Sequence, residues 1–211
     1  MSDELLFRLL FSGLWLVFLG NVIWVNHGAK WVSSRRTSAS QSRLRKVAIA
    51  FAVLYFAGAL LYVLMPAWIM FVSIDLPDWS RLVMVAAATV SVLCVSWAIQ
   101  VLGKNWAPSV SGVRKDTVLV TSGPYGYVRH PIYSGVFFFL VTVAFVAADL
   151  FVLLPTLALI VLLYRSIAEE ETLLIARFGN EYREYMKRTP RFIPRFSFGQ
   201  PAHRRQQPAS L

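Results

Sequence analysis

Gly123-Pro124-Tyr125-Gly126-Tyr127-Val128-Arg129-His130-Pro131-Ile132-Tyr133-Ser134-Gly135 is the densest concentration of polar chemistry in the chain, and it lies between two long apolar blocks. Pro fixes its own φ and pushes the preceding residue out of α geometry, so this stretch must turn and then deliver His130 extended into Pro131. An apolar run starts at once after it. Arg129 and His130 therefore stand at the mouth of an expected membrane helix, where a polar group is costly unless it is paired or used. About forty residues later comes a second polar group, Glu169-Glu170-Glu171. Three acids at the end of a helix repel one another and its C-terminal dipole, so they need compensation. Taken singly, these groups read as a turn histidine and a solvated helix end. On one face together, they become a receiver for a cationic ligand.

The elements that must position them are membrane helices. Hydrophobic residues make up 57% of the 211 residues, well above what a soluble core of this size requires. The formal net charge of +10 is carried in short loops between apolar segments, which points to anionic lipid headgroups and away from nucleic acid. A first segment, about Leu5 to Val25, is too long and tryptophan-rich for a cleaved leader and is read as a retained span. The polar stretch from Asn26 to Lys46 follows it. A second segment runs from about Val47 to Val72 and meets Pro66. A third, about Trp79 to Leu102, carries small residues at Ala86, Ala87, Ala88 and Ser91, which permit close helix approach. Trp68 and Trp79 read as interfacial anchors. The block from Ile132 to Ala168 is too long for one span and has Ala147-Ala148-Asp149 near its middle, so a tight helical hairpin is expected.

Charge placement gives this five-span reading an orientation. All of the 21 Lys and Arg except Arg8 and Arg81 fall on the side of the first loop, the third loop and the tail. With the N-terminus outside, that side is cytoplasmic. Beyond the last span, Leu173, Leu174, Phe178, Tyr182, Tyr185 and Met186 recur at roughly helical spacing, with Gly179 as a break, and predict an amphipathic helix on the membrane face. Pro190 and Pro194 end it. From about Gly199 the composition is that of a disordered tail.

Several chemistries find no support. The chain has no HExxH, GxSxG, P-loop or GxGxxG pattern, and Gly123-Pro124-Tyr125-Gly126 is a turn and not a dinucleotide fingerprint. One cysteine, Cys94, excludes an intrachain disulfide and reads as a small buried hydrophobe. His27 and His203 are assigned no role.

Arg129-His130-Pro131-x-Tyr133-x-Gly135, followed by Glu170-Glu171 and then Phe178-Gly179-x-Glu181-Tyr182-x-x-Tyr185, resembles the isoprenylcysteine carboxyl methyltransferase family and its phospholipid methyltransferase relatives, over roughly Leu102 to Pro194. The resemblance implies an S-adenosylmethionine pocket facing the cytoplasm and a lipophilic or lipidated acceptor admitted from the membrane. It implies that Gly123, Pro124, Tyr125, His130, Pro131 and Tyr133 line the cofactor cavity. Glu170 would contact the cofactor's polar end, with Glu171 beside it. Arg188 and Arg129 are the implied catalytic cations, Arg188 steering a substrate carboxylate. A carboxylate acceptor is ionised at neutral pH and needs no general base, so the lack of a dedicated base motif is no obstacle. Phospholipid N-methylation, an NADPH-dependent sterol-reductase-like activity and a non-catalytic adaptor are the alternatives.

The expected architecture is an all-α, five-span, multi-pass membrane protein, in the plasma membrane of a bacterium or the endoplasmic reticulum of a eukaryote. A single domain is expected over 1–198, with its catalytic part at about 102–195 and the tail at 199–211.

Overall fold

The structure is a computed structural model that describes residues 2–26, 39–65, 72–103 and 118–194. Its elements are α1 (Ser2–Asn26), α2 (Ala39–Leu64), α3 (Asp78–Leu102), a 3-10 turn (Gly123–Gly126), α4 (Pro131–Ala147), α5 (Leu150–Phe178) and α6 (Asn180–Arg188). Among the described residues no strand forms, and an isolated antiparallel bridge joins Ser73 to Asp149. Among the described residues four helices are long and apolar enough to cross a membrane: Glu4–Trp24 within α1, Lys46–Leu64 within α2, and the whole of α3 and α5. The chain is a polytopic helical membrane protein. At 17 residues, α4 is apolar but shorter. The expected tail at 199–211, Trp68, His27 and His203 lie outside the described residues.

The long apolar block is divided at Ala148 and not at Pro155, which α5 absorbs in its second turn. Ala148 adopts left-handed geometry (φ 50°), and its N–H closes α4 on Ala144 O at 3.0 Å. Asp149 then caps α5, its carboxylate accepting from Phe151 N (2.7 Å) and Val152 N (3.2 Å). The segment before α3 seals this corner, since Leu150 N donates to Val72 O and Ile74 N to Ala148 O. His130 and Tyr133, at the start of α4, touch Glu171 and Glu170, late in α5, so the two helices run antiparallel.

The second segment differs from expectation at both ends. It begins at Ala39 rather than Val47, because Ser, Gln, Arg and Lys, without Gly or Pro, let the helix extend beyond its apolar part. It stops at Leu64 rather than Val72, because Pro66 disfavours α geometry at the residue before it. Cys94, expected inside, is exposed on α3. Helix periodicity turns it about a quarter of a turn or more away from the centre of the face formed by Ala88, Ser91, Val92 and Val95, which are buried.

Close approach sets the packing. α3 lies along α4 where Gly135 meets Val95: a Cβ at Gly135 would stand 2.5 Å from Val95 Cγ2. α2 meets α5 where a Cβ at Gly58 would stand 2.5 Å from the carbonyl oxygen of Phe151. An aromatic layer fills the middle, with Trp15 against Tyr55, Phe56 and Phe139, and Phe18 stacked on Phe139 at 4.3 Å. Arg81, 4% exposed, fastens the end remote from His130. It donates to Val146 O through Nε (3.0 Å) and Nη2 (2.8 Å), pairs with Glu4 and covers the Phe7 ring at 3.8 Å.

The Gly58 contact is with backbone, which has no rotamer through which to escape. Gly58→Ala is therefore expected to destabilise the protein by about 1–3 kcal/mol, read as a lower unfolding midpoint in detergent. Gly13→Ala, where a Cβ meets nothing within 4 Å, should leave the midpoint unchanged or raise it. Equal behaviour of the two variants would refute the close α2–α5 approach.

Candidate functional site

The turn at Gly123 to Gly126 begins with Gly123 at φ +59°, and a Cβ there would stand 3.2 Å from Val101 Cγ2, so glycine answers both the backbone and the space. Pro124 and Tyr125 are buried beneath it. Tyr125 donates to Ala98 O at 3.4 Å and so ties the turn to the end of α3. The chain then passes through His130 into Pro131, which takes the first position of α4 where its missing N–H costs nothing. Beyond α5, Gly179 (φ +58°) breaks the helix and starts α6. The amphipathic expectation holds here: Tyr182 and Tyr185 are buried while Arg183, Glu184, Lys187 and Arg188 face out.

A strap after α6 closes the arrangement. Arg129 N donates to Pro190 O (2.8 Å) and His130 N to Arg191 O (3.1 Å). The Ser134 hydroxyl stands 3.1 Å from His130 O and 3.0 Å from Phe192 O. Phe192 packs against His130, Phe137 and Tyr164 with ring centroids 6.2, 5.6 and 5.7 Å away. Tyr185 donates to Tyr125 O at 2.6 Å, so α6 also holds the first turn.

At the centre lies Glu171, 3% exposed. Its Oε1 accepts from Arg129 Nε (3.1 Å) and Nη2 (2.9 Å) and from Arg191 Nε (3.2 Å), and lies 3.1 Å from His130 Nε2. Its Oε2 pairs with Arg191 Nη2. Arg129 also donates from Nη1 to Met186 O (3.1 Å) and to Thr189 O. Next to this cluster Tyr133 donates its hydroxyl to Glu170 Oε2 at 2.9 Å. Burial pushes the phenols of Tyr125, Tyr182 and Tyr185 up, that of Tyr185 to about 12, so all three are protonated donors at neutral pH.

Tyr182 is the exception to the pairing. It is 1% exposed and its hydroxyl has no hydrogen-bond partner among the described residues, although Glu171, Arg129 and Glu170 all act on it electrostatically. A buried hydroxyl left unpaired costs roughly 1–3 kcal/mol. Such an orphaned donor, close enough to Glu170 and Glu171 to feel both carboxylates, is open to a polar partner.

Of the residues singled out from sequence, the structure brings together Arg129, His130, Tyr133, Glu170 and Glu171, with Pro131 at the helix start and Gly123, Pro124 and Tyr125 in the adjoining turn. Arg188 is not part of the cluster. It is exposed on the last turn of α6, with Glu184 as its electrostatic neighbour. Sequence reasoning missed Arg191 and Tyr182 as members. Tyr182 was legible as an apolar-face position of α6 and as part of the Glu181-Tyr182-x-x-Tyr185 motif, but no site role was given to it. Arg191 carried no signal, since its place depends on the strap folding back along His130.

Glu171 joins three pieces of chain in the unliganded protein. Glu171→Gln would leave Arg129 buried against a neutral partner, and loss of a buried ion-pair partner typically costs about 3–5 kcal/mol. The expected result is a lower unfolding midpoint without any ligand, together with faster trypsin cleavage at Arg183, Lys187 and Arg188. Unchanged stability and unchanged cleavage would show that Glu171 does not hold the strap.

Comparison with known proteins places this geometry. The model of the "Isoprenylcysteine carboxyl methyltransferase (ICMT) family" matches residues 81–176. The nickel-cobalt-cadmium resistance protein NccN of Alcaligenes xylosoxydans xylosoxydans is 33% identical over 114 residues, 54% of this chain and 53% of NccN. The protein-S-isoprenylcysteine O-methyltransferase of Schizosaccharomyces pombe is 38% identical over 94 residues, 44% of this chain and 40% of that one. The chain thus spans about half the length, or less, of these curated relatives. Among solved structures, the eukaryotic intramembrane Ras methyltransferase ICMT superposes with a TM-score of 0.52 at 24% identity, over 76% of this chain and 54% of that one, which shows a shared fold. Over residues 81–176, which include α4, most of α5 and the Arg129-His130-Pro131 turn, the chain is similar to the isoprenylcysteine carboxyl methyltransferase family.

Proposed function

We propose that the chain is an integral-membrane S-adenosylmethionine-dependent methyltransferase of isoprenylcysteine carboxyl methyltransferase type, which methylates a lipophilic carboxylate at the cytoplasmic membrane face. The observation that carries the reading is the meeting of His130 and Tyr133 with Glu170 and Glu171 from the far end of an antiparallel helix. The match of residues 81–176 to the family model and the similarity to protein-S-isoprenylcysteine O-methyltransferases support it. Five spans are part of the proposal, with α4 as the short fourth and α5 as the fifth. The loop and tail face the cytoplasm in accord with the basic bias.

The residues present suit the methyl donor. Glu170 is a half-buried carboxylate whose polar contact among the described residues is Tyr133, and it is disposed to take an ammonium group. The Tyr182 hydroxyl, unpaired among the described residues and within electrostatic reach of Glu170, is a donor available to the same ligand. Pro124, Tyr125 and His130 are buried and keep water from this part of the protein. When bound, S-adenosylmethionine supplies an electrophilic methyl group on a sulfonium sulfur, which a carboxylate displaces in line. The protein's share is then to orient both reactants and to exclude water. The strap from Thr189 to Phe192 covers the His130 side and limits solvent there. Arg188, exposed and free of hydrogen bonds among the described residues, is the cation open to an acceptor carboxylate arriving from the membrane face.

The deciding experiment is calorimetric titration of the detergent-purified protein with S-adenosylhomocysteine and, in parallel, with NADPH. S-adenosylhomocysteine alone is expected to bind, and Glu170→Ala and His130→Ala are each expected to weaken it about tenfold or more, the worth of one charge-assisted hydrogen bond. Binding of NADPH alone would replace the methyltransferase reading by a reductase one. For the acceptor, Arg188→Ala should lower kcat/KM for a prenylated cysteine by about tenfold or more while leaving S-adenosylhomocysteine affinity intact. Normal turnover of that variant would remove Arg188 from the reaction.

A further inference from the structure

Glu171 is one carboxylate shared by two guanidinium groups, and the two are held differently. The Arg129 side chain is 9% exposed and anchored on the carbonyls of Met186 and Thr189 as well as on Glu171. The Arg191 side chain is 31% exposed. Apart from Tyr164, whose ring lies 5.9 Å from its guanidinium carbon, its polar partner among the described residues is Glu171. If Arg191 swings away, Glu171 keeps Arg129 and His130, so no buried charge is stranded. The Arg191 backbone need not move, since its carbonyl stays fixed by His130 N. The cluster therefore contains one surplus cation, mounted on a side chain able to change partners. Beside it Glu170 has the opposite surplus, a carboxylate bonded to a neutral phenol.

A ligand that carries a carboxylate and an ammonium group on one carbon matches this pair of surpluses. We propose that Arg191 is the carboxylate-binding residue of the site: it exchanges Glu171 for the α-carboxylate of an amino-acid-bearing ligand, whose ammonium group Glu170 receives. The inference rests on the methyl-donor reading for the ligand's identity, the amino-acid end of S-adenosylmethionine. It separates the two cations near the strap, giving Arg191 the donor and leaving Arg188 to the acceptor. Guanidinium suits the task because its planar fork meets both carboxylate oxygens, as it already does with Glu171.

The test is calorimetry on the full chain in detergent, with S-adenosylhomocysteine and its decarboxylated analogue as probes, for the unaltered protein, Arg191→Ala and Arg191→Lys. Arg191→Ala is expected to lower S-adenosylhomocysteine affinity about 10- to 100-fold and to leave the affinity for the decarboxylated analogue essentially unchanged. Arg191→Lys should fall between, again for the carboxylate-bearing probe only, and it carries the same comparison if the alanine variant does not fold. Equal losses for both probes would reduce Arg191 to a structural strut and overturn the proposal. So would a loss confined to N-acetyl-S-farnesylcysteine and absent for its methyl ester, which would assign Arg191 to the acceptor. Failure of the unaltered protein to bind S-adenosylhomocysteine would bring down the methyl-donor reading itself, whereas normal binding by the unaltered and alanine proteins alike would bring down the role of Arg191 alone.

Discussion

The buried carboxylate of Glu171 must be compensated where it stands, and much of the site's architecture follows from how this is done. It sits late in a helix that started at the opposite end of the bundle, so its partners have to be brought to it. Arg129 and His130 arrive from the turn before α4, Arg191 from the strap after α6. Each arrival requires a break in the regular structure, and the sequence provides one each time, with Gly123 before the first and Gly179 before the second. Because a lone charge in this setting is so costly, the network favours one arrangement of loop, helix and strap over the alternatives.

A second clasp at the remote end works in the same way. Arg81 reaches Glu4 on α1, the Tyr62 hydroxyl on α2 and the Val146 carbonyl on α4, and so joins four helices through one guanidinium. Between the two clasps the contacts are apolar, and in lipid these bring no hydrophobic driving force between helices. Packing there depends on how closely backbones approach, which is why Gly58, Ala88 and Gly135 fall at contacts. Small residues in the middle and polar clasps at the ends divide the work of holding the bundle.

The parts legible in sequence are those governed by local rules. The apolar segments, the break at Ala148-Asp149, the turn opened by Gly123, Pro131 at the start of α4 and the break at Gly179 each follow from residue type and spacing. Boundaries were less legible where propensity and hydropathy disagree. α2 continues through a polar stretch that hydropathy assigns to a loop, and Cys94 faces out of a helix that composition places in a core. In the site, His130, Tyr133 and the paired glutamates could be named because they form compact motifs. Arg191 could not, because nothing near it in the chain reveals that its carbonyl will meet His130 N. Arg129 could be named, but its attachment to Met186 and Thr189 is a tertiary fact.

Helix lengths explain the depth of the site. α4 has 17 residues and α5 has 29, so at 1.5 Å per residue they rise about 25 and 43 Å. Their adjoining ends are level at the Ala148-Asp149 corner, so α5 overtops the start of α4 by several turns on the other side. His130 thus meets α5 at Glu171 and not at its end, and the rest of α5 with α6 stands above as a wall. Under the proposed five-span reading, an apolar core of about 30 Å puts the start of α4 near the headgroup boundary, with lipid on one side and water on the other. Under the proposed reading this is the level at which a polar donor entering from water and an acceptor held by its lipid tail can meet. A full-length α4 would lift His130 away from Glu171, so its shortness is what lets the turn and the late part of α5 share one carboxylate.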